Sequence, residues 1–179
     1  MKKIKLTQEK FALVDNEDFE YLNQWKWYAY RNKNTYYAAR TYKKWIGMHR
    51  VIMHTPEELL VDHIDHNGLN NQKYNMRNCT NAQNHYNQQI RNYTSEYKGV
   101  SWCQQQNNWR VSIKYNGTAF NLGRYEIEDI AAYAYNLAAK YLFKEFANLN
   151  KIGSIDIIKS QISDFTKIKP YHKWRYVAV

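Results

Sequence analysis

Cysteine, proline and glycine are scarce in this chain of 179 residues. The two cysteines, Cys79 and Cys103, are too few and too far apart for a disulfide framework or a cysteine-rich zinc site. Their scarcity favours a reducing, cytoplasmic setting. Two prolines and six glycines punctuate the chain, and the sequence contains no internal repeat and no low-complexity tract, which excludes repeat architectures.

Long hydrophobic runs are also absent. The mean hydropathy is −0.82, and no apolar run approaches the roughly 18 residues of a transmembrane helix. The basic start, Met1-Lys2-Lys3, is not followed by an apolar segment, so the sequence predicts no signal peptide. Hydrophobic residues nevertheless make up 44% of the chain, including 17 Tyr and 6 Trp, which is enough for a packed core and excludes wholesale disorder.

Acidic residues are few beside basic ones. Sixteen Asp and Glu against 26 Lys and Arg give a net charge of +10, which favours a polyanionic partner. Nucleic acid is favoured over membrane because no stretch forms a basic amphipathic helix. AT-rich coding is the alternative explanation for the charge. Residues 1–94 carry +5 (14 − 9), residues 95–150 carry +1 (6 − 5) and residues 151–179 carry +4 (6 − 2).

Turn-forming residues and hydrophobic periodicity predict two domains, 1–94 and 95–150, that meet within residues 91–96, and a basic extension at 151–179. The predicted elements of the first domain are a strand at 11–14, a helix capped by Asp15 and running towards Leu22, a hairpin of 25–30 with 36–41, a helix at 46–54, strands at 60–64 and 76–79, and a helix from Thr80 to Ile90. A further helix is predicted at 156–165.

Period-2 alternation predicts three strands in the second domain, at 97–103, 109–115 and 119–125, with Asn116-Gly117 as a hairpin turn. A helix predicted at 126–143 would cover one face of this sheet and leave the other face open. The residues predicted at that packed interface are Ile127, Ile130, Ala131, Ala134, Leu137, Ala138 and Tyr141 of the helix, and Val100, Trp102, Trp109, Val111, Ile113, Phe120 and Leu122 of the sheet.

Residue types that carry catalytic and metal-binding chemistry are concentrated between residues 62 and 84. If the two predicted strands pair and pack on the next helix, Asp62 and His63 lie at a strand end that faces Asn84. Carboxylate and amide oxygens suit a divalent cation such as Mg²⁺, and a neutral imidazole can take a proton from water. Residue types alone leave open a polar, Asn-rich loop without a metal.

Residues 49–87 resemble the HNH nuclease motif, the ββα-metal (His-Me finger) hairpin of phage and intron homing endonucleases. His63, Asn75 and Asn84 fall on the three motif positions, and Asp62 falls on the metal-ligand position. The preceding segment Met48-His49-Arg50-Val51-Ile52 is similar to the helix that leads into that hairpin.

Residues 96–150 resemble the Apetala-2 (ethylene-response-factor) DNA-binding domain. The matching stretches are Tyr97-Lys98-Gly99-Val100, Trp109-Arg110, Asn121-Leu122-Gly123-Arg124-Tyr125, Ala131-Ala132-Tyr133-Ala134-Tyr135, Ala138-Ala139 and Phe146-Ala147-Asn148-Leu149-Asn150. The order of the two motifs is similar to that of phage homing endonucleases. It implies an α+β fold, with a nuclease core at about 58–90 and then a three-stranded antiparallel sheet packed on one helix.

The resemblance implies sequence-specific hydrolysis of DNA phosphodiester bonds by a one-metal mechanism. Asp62 and Asn84 would hold Mg²⁺, which Mn²⁺ could replace, and His63 would deprotonate the attacking water. Asn75 would hydrogen-bond one imidazole nitrogen and thereby fix its tautomer. The products would carry a 5′-phosphate and a 3′-hydroxyl.

The predicted partner is double-stranded DNA, held by the open face of the second domain in the major groove. Arg110 and Lys114 are the strongest predicted contacts. The others are Lys98, Ser101, Ser112, Asn121 and Arg124 of the second domain and Arg50 of the first. Residues 103–108 carry no charge, so this segment is expected to bind DNA phosphates only weakly. One HNH site per chain implies a monomer.

The sequence departs from the family pattern at two points, and two other functions remain as alternatives to a homing endonuclease. His66 stands where the family often has glycine, and no cysteine pairs flank the motif, which excludes a structural zinc. A non-cleaving DNA-binding regulator is one alternative, against which the presence of Asp62, His63, Asn75 and Asn84 together argues. A restriction-type nuclease is the other alternative.

Overall fold

The structure is a computed structural model that describes residues 1–32, 34–89 and 94–153. The chain divides into two compact units between His85 and Tyr86. The domain limits inferred from the sequence stay a prediction. The helix predicted at 156–165 and most of the basic extension lie outside the described residues. Within the described part of the chain, no helix is long and apolar enough to cross a membrane.

The first unit is a mixture of short strands and short helices. Its elements are β1 Lys2–Lys5, β2 Phe11–Val14, α1 Asn16–Leu22, β3 Tyr28–Asn32, β4 Thr35–Tyr42, β5 Lys44–Gly47, α2 Met48–Ile52, β6 Leu60–His63, β7 Asn70–Asn71, β8 Met76–Cys79 and α3 Asn81–Tyr86, whose last residue begins the second unit. Three sheets form, in the orders β1-β2-β7, β3-β4-β5 and β6-β8. All pairings are antiparallel except that of β2 with β7.

The core of this unit is built from alternate positions of the strands and from one aromatic anchor. Ala12 and Val14 of β2 and Ala38 of β4 are fully buried, because the residues between them point to the other face. The indole of Trp27 packs in the same cluster, and its N–H donates to the carbonyl of Leu22 at 2.8 Å. The end of α1 is thereby tied to the start of β3.

The two helix starts predicted from capping residues have different origins. Asp15 precedes α1 as predicted, but its carboxylate accepts from the backbone N–H of Lys73 at 2.8 Å and makes no capping bond. Thr80 and Gln83 form the reciprocal pair of a capping box at α3, with N–H···O distances of 2.8 and 3.2 Å. Helix α3 ends at Tyr86, four residues before its predicted end.

The second unit contains a three-stranded antiparallel sheet packed on one helix, as the sequence predicts. The strands are β9 Val100–Cys103, β10 Asn108–Tyr115 and β11 Thr118–Tyr125, with β10 in the middle, and the helix is α4 Glu128–Phe143. The turn between β10 and β11 places Asn116 and Gly117 at φ of 48° and 82°. This left-handed pair explains why the Asn-Gly signal marks the hairpin.

The buried face of α4 differs from the predicted one. Ala131, Ala134 and Ala138 are buried as predicted, but Ile127 and Tyr141 are 41% and 46% exposed. Additional buried positions are Ala132, Tyr135, Ala139, Leu142 and Phe143. A large aromatic side chain can face the sheet here because a glycine lies beneath it: a Cβ on Gly99 would lie 2.1 Å from the ring of Tyr135.

The inner face of the sheet follows the prediction at its centre and departs from it at one end. Val100, Val111 and Ile113 are buried. Trp102, also predicted to face the helix, is 38% exposed and packs edge-on against Trp109, with ring centroids 4.9 Å apart. Trp102 shares the face of Val100 by strand alternation, as predicted, but it lies near the end of the strand, where α4 does not cover it fully.

Candidate active site

The pairing of β6 with β8 places two chemically active residues side by side at a strand end. His63 lies opposite Met76, and Asp62 lies opposite Arg77. Both Asp62 and His63 are buried, and α3 follows β8 directly. The sequence therefore folds locally in the order strand, loop, strand, helix.

The imidazole of His63 is held by Asn71. His63 Nε2 lies 3.2 Å from Asn71 Oδ1, and the amide nitrogen of Asn71 faces the sulfur of Met48 at 3.8 Å. The amide oxygen therefore accepts a hydrogen bond, which places the imidazole proton on Nε2 and the lone pair on Nδ1. The sequence analysis expected Asn75 to hold the imidazole, whereas the structure places Asn71 at Nε2.

Asn75 fixes the loop that precedes Asn71. Its amide nitrogen donates to Asp65 Oδ1 at 2.8 Å and to the carbonyl of Asn70 at 2.9 Å, and its Oδ1 accepts from the backbone N–H of Asp65 at 3.1 Å. Burial opposes ionisation of Asp65, but hydrogen bonds from Asn70, the Asn67 backbone and Asn75 lower its pKa overall. The side-chain hydrogen bonds of Asn75 are thus made within the loop, so Asn75 supports the position of His63 indirectly.

His66 occupies a left-handed position in the same loop, with φ of 63°. This conformation is easy for glycine and costly for most other residues. The backbone geometry at His66 is therefore one that would suit glycine. The backbone N–H of His66 donates to the carbonyl of His63 at 3.0 Å.

Asp62 is paired with a cation inside the unit. Nε and Nη2 of Arg77 lie 2.8 and 2.6 Å from Asp62 Oδ2. Asn84 lies one turn into α3, where it is partly buried. Among the described residues, no group of three His, Cys, Asp or Glu side chains is close enough to hold a metal. Asp62 and Asn84 still offer the oxygen donors that a hydrated Mg²⁺ accepts, so the donor set fits that ion.

Two further rings lie against His63, those of His49 and Tyr37, and sequence reasoning did not select Tyr37. Ring centroids of Tyr37 and His49 are 5.7 and 5.5 Å from that of His63. His49 is 9% exposed, and its Nδ1 is buried without a hydrogen-bond partner. Burial, His63 and Arg50 lower the pKa of His49 to about 3. No local sequence pattern identifies Tyr37 as a site residue, because β4 brings it to the site from a position 26 residues before His63 in the chain (63 − 37).

Burial also sets the ionisation of the other groups in the site. It lowers the pKa of His63, against the opposing effects of Asn71, Asp65 and Asp62. Burial and the charge of Asp62 raise the pKa of the Tyr37 hydroxyl. His63 is therefore neutral and Tyr37 protonated at neutral pH.

Arg50 does not present its charge to solvent as the sequence analysis predicted. Its Nη1 donates to the carbonyl of Leu59 at 2.8 Å, and its Nη2 donates to the carbonyls of Thr55 and Pro56 at 3.2 and 2.7 Å. The guanidinium thus holds the turn after α2 to the segment that leads into β6. The predicted contact of Arg50 with DNA stays a prediction.

Lys98 was predicted to contact DNA, but the structure gives it a structural role in the second unit. Its ammonium donates to the carbonyls of Tyr86 and Gln88 at 2.6 and 2.7 Å. Burial lowers the pKa of Lys98 to about 8. The side chain is drawn inward because the turn at Gly99, with φ of 78°, lies against Tyr135 of α4.

The open face of the second unit carries the other predicted contacts. Register places Arg110 opposite both Arg124 and Ser101, Ser112 opposite Asn121, and Lys114 opposite Ala119. Arg110, Lys114, Asn121 and Arg124 are exposed, whereas Ser101 and Ser112 are partly buried. Within the described residues, no ion pair engages Arg110, Lys114 or Arg124.

Comparison with known proteins shows the family. The chain is 36% identical over 148 residues to a protein named "Uncharacterized HNH endonuclease L560" from Acanthamoeba polyphaga mimivirus, a match that covers 79% of this chain and 75% of the relative. It is 30% identical over 81 residues to Protein 3.8 of Escherichia phage T7, with 45% of this chain and 67% of that protein covered. No family model and no solved structure matches. The chain therefore belongs to the HNH endonucleases.

Proposed function

We propose that this protein is a DNA endonuclease that hydrolyses phosphodiester bonds at His63 with the help of a divalent cation, Mg²⁺ or Mn²⁺. One observation supports this proposal above the others: the buried His63 is bonded through Nε2 to Asn71 and directly follows the buried Asp62 at the end of β6. The name of the mimiviral relative agrees with it.

The chemistry assigned to each side chain follows from its surroundings. His63 accepts the proton of the attacking water on its imidazole, whose orientation Asn71 fixes through Nε2. Asp62 and Asn84 would hold the cation, which stabilises charge on the scissile phosphate and the leaving oxygen. Asn75 supports the site indirectly, since it fixes the loop at Asp65.

DNA recognition is assigned to the open sheet face of the second unit. Arg110 and Arg124 lie directly opposite each other, and two like charges in such a pair repel unless an anion lies between them. A DNA phosphate or the acceptor edge of guanine supplies that anion. This arrangement supports DNA binding by the open sheet face. The proposal keeps an Apetala-2-like domain at 95–150, a nuclease domain at 1–94 and action on DNA as a monomer as the sequence predicts them.

We further propose that the endonuclease acts in the homing of a mobile element. This part of the proposal rests on the order of the two motifs in the sequence. A restriction role would require a methyltransferase that protects the host DNA. Mapping the target relative to the gene distinguishes the two, because a homing enzyme cuts an allele that lacks its own element.

The experiment that tests the central proposal is incubation of the full chain with randomised duplex DNA and Mg²⁺, followed by mapping of the cut ends on each strand. We expect cuts with 5′-phosphate and 3′-hydroxyl ends that disappear when a chelator is added. His63→Ala protein, purified in parallel, controls for contaminating nuclease. Equal cleavage by that variant would remove His63 from the mechanism.

A further inference from the structure

A row of rings runs from the surface of the first unit to the proposed catalytic histidine. Ring centroids are 6.0 Å apart between Tyr30 and Trp45, 6.2 Å between Trp45 and His49, and 5.5 Å between His49 and His63. Tyr37 lies against both imidazoles at the inner end. These five residues are called the ring row. Its outer end is accessible, since Tyr30 and Trp45 are 45% and 43% exposed.

Strand register explains why these rings share one surface. In an antiparallel sheet, residues directly opposite each other project to the same face, and successive residues alternate. Tyr30 lies opposite Tyr37, and Trp45 lies opposite Thr41, which follows Tyr37 on β4 by an even number of positions. The other face of the sheet contributes Ala38 to the core. One face therefore packs inside the unit, and the opposite face carries exposed rings that lead to His63.

The sequence that builds this face has no negative charge. Residues 21–56 contain no Asp or Glu and seven basic residues, namely Lys26, Arg31, Lys33, Arg40, Lys43, Lys44 and Arg50. A polyanion therefore meets no repulsion from this segment. Within the row, the buried Nδ1 of His49 has no partner, although buried polar atoms in native proteins usually have one. Both features fit a surface that is completed by a ligand.

We propose that the ring row is a second DNA-binding surface, which holds the substrate strand beside the scissile phosphate by packing its rings against nucleotides. The inference rests on the proposed nuclease function and deepens it, since it gives the catalytic unit its own grip on DNA. Aromatic side chains suit this task because their contacts with nucleotides tolerate any sequence. Recognition of a target and alignment of the strand for cleavage are then performed by different surfaces.

The test measures DNA affinity of the full chain in the presence of a chelator, so that the DNA stays uncut. Targets selected by the wild-type protein are shortened stepwise from each end. Wild type should lose about tenfold in affinity when one particular end is removed, as expected for losing one or two ring contacts. The double variant Tyr30→Ala/Trp45→Ala should bind long and shortened duplexes equally. Its salt dependence should match that of wild type, because rings neutralise no phosphates.

Tyr42→Ala is the matched control. Tyr42 is an exposed tyrosine of the same sheet, but it lies one position after Thr41 and therefore projects to the other face. It should behave as wild type does. Tyr30→Ala alone, which removes only the outermost exposed ring, gives a second measurement if the double variant folds poorly, and it should show a smaller loss in the same direction.

The outcomes separate this inference from the proposed function. If the double variant still discriminates between long and shortened duplexes as wild type does, the ring row is not a DNA-binding surface, whatever the enzyme cuts. If discrimination depends on Tyr30 and Trp45 but no duplex is cleaved with any divalent cation, the ring row stands and the nuclease assignment fails. Failure to bind DNA at all overturns both.

Discussion

The two units hold their polar groups in opposite ways. In the first unit, Asp62 and His63 are buried, and each is tied to a named neighbour within the fold. In the second unit, Arg110 and Lys114 project from a sheet face into solvent with no ion pair among the described residues. The difference corresponds to two tasks. Proton transfer needs a fixed geometry, whereas binding a long polyanion needs accessible charge.

The sharpest way to separate these tasks is His63→Ala. Loss of a general base should reduce the cleavage rate by about 10²–10⁴-fold, and DNA affinity should stay within about twofold of wild type, since the base acts on water. Single-turnover cleavage and equilibrium binding measure the two quantities. A parallel loss of affinity would show that chemistry and binding share this residue.

Removing either proposed cation ligand should also abolish cleavage, but with a different dependence on Mg²⁺. Asn84→Ala should recover part of its activity as Mg²⁺ is raised, because Asp62 still supplies an anionic oxygen. Asp62→Ala should recover much less, and it also removes the carboxylate that pairs with the partly buried Arg77. Titration of the cleavage rate with Mg²⁺ tests the pair. Equal, Mg²⁺-insensitive losses would contradict this division of roles.

Asn71→Leu should have a smaller effect confined to the chemical step. Asn71 is fully buried and holds the imidazole through one hydrogen bond, so its loss frees the tautomer and orientation of His63. We expect kcat to fall by about 10-fold or more with KM nearly unchanged, in line with the cost of one lost orienting bond. Asn75→Leu is the comparison, because the side-chain hydrogen bonds of Asn75 go to the loop at Asp65 and Asn70. A fall in kcat for Asn75→Leu without one for Asn71→Leu would reverse the assignment.

In the second unit, Arg110→Ala and Lys114→Ala should separate base reading from phosphate contact. Loss of a base reader costs about 1–3 kcal/mol on the target and relaxes specificity at one position, whereas loss of a phosphate contact weakens all sequences alike. The forked guanidinium of Arg110 lies mid-strand and suits guanine, so we expect the first behaviour there and the second at Lys114. Competition binding with single-base target variants provides the measurement. Identical specificity profiles for the two variants would contradict this assignment of base reading to Arg110 and phosphate contact to Lys114.

The smallest effect concerns acid stability. The folded pKa of His49 is about 3, below its ordinary value of 6.5, so the unfolded chain binds more protons between these values. Stability should therefore fall as the pH drops below about 6.5, by up to about 1.4 kcal/mol per pH unit from this group. Urea unfolding of wild type and His49→Phe at several pH values isolates the contribution. The same pH slope in both proteins would show that His49 is not responsible.

Local patterns in the sequence were sufficient for much of the fold. The strand at Phe11–Val14, the β3–β4 hairpin and the three strands of the second unit follow from alternation and turn residues. Strand β7 was missed because it is two residues long and pairs with β2, more than 50 positions away. Pairing over such a distance leaves no periodic signal.

The candidate site shows the same limit. Asp62 and His63 could be selected because they are adjacent in the sequence and lie on a motif. The choice between Asn71 and Asn75 could not be made, since both follow in the same Asn-rich loop and only the path of the backbone decides which amide faces the imidazole. Likewise, no local sequence pattern shows that the ammonium of Lys98 points inward and donates to the backbone carbonyl of Tyr86.

The pair of Asp62 with Arg77 has a consequence for how the protein meets its metal. The Arg77 guanidinium already balances the buried carboxylate of Asp62, so this carboxylate does not need a bound cation for the first unit to fold. An incoming divalent ion must share or displace this internal counter-ion. If Asp62 binds the cation as proposed, competition from Arg77 would weaken that binding, and occupancy of the site would follow the concentration of free metal.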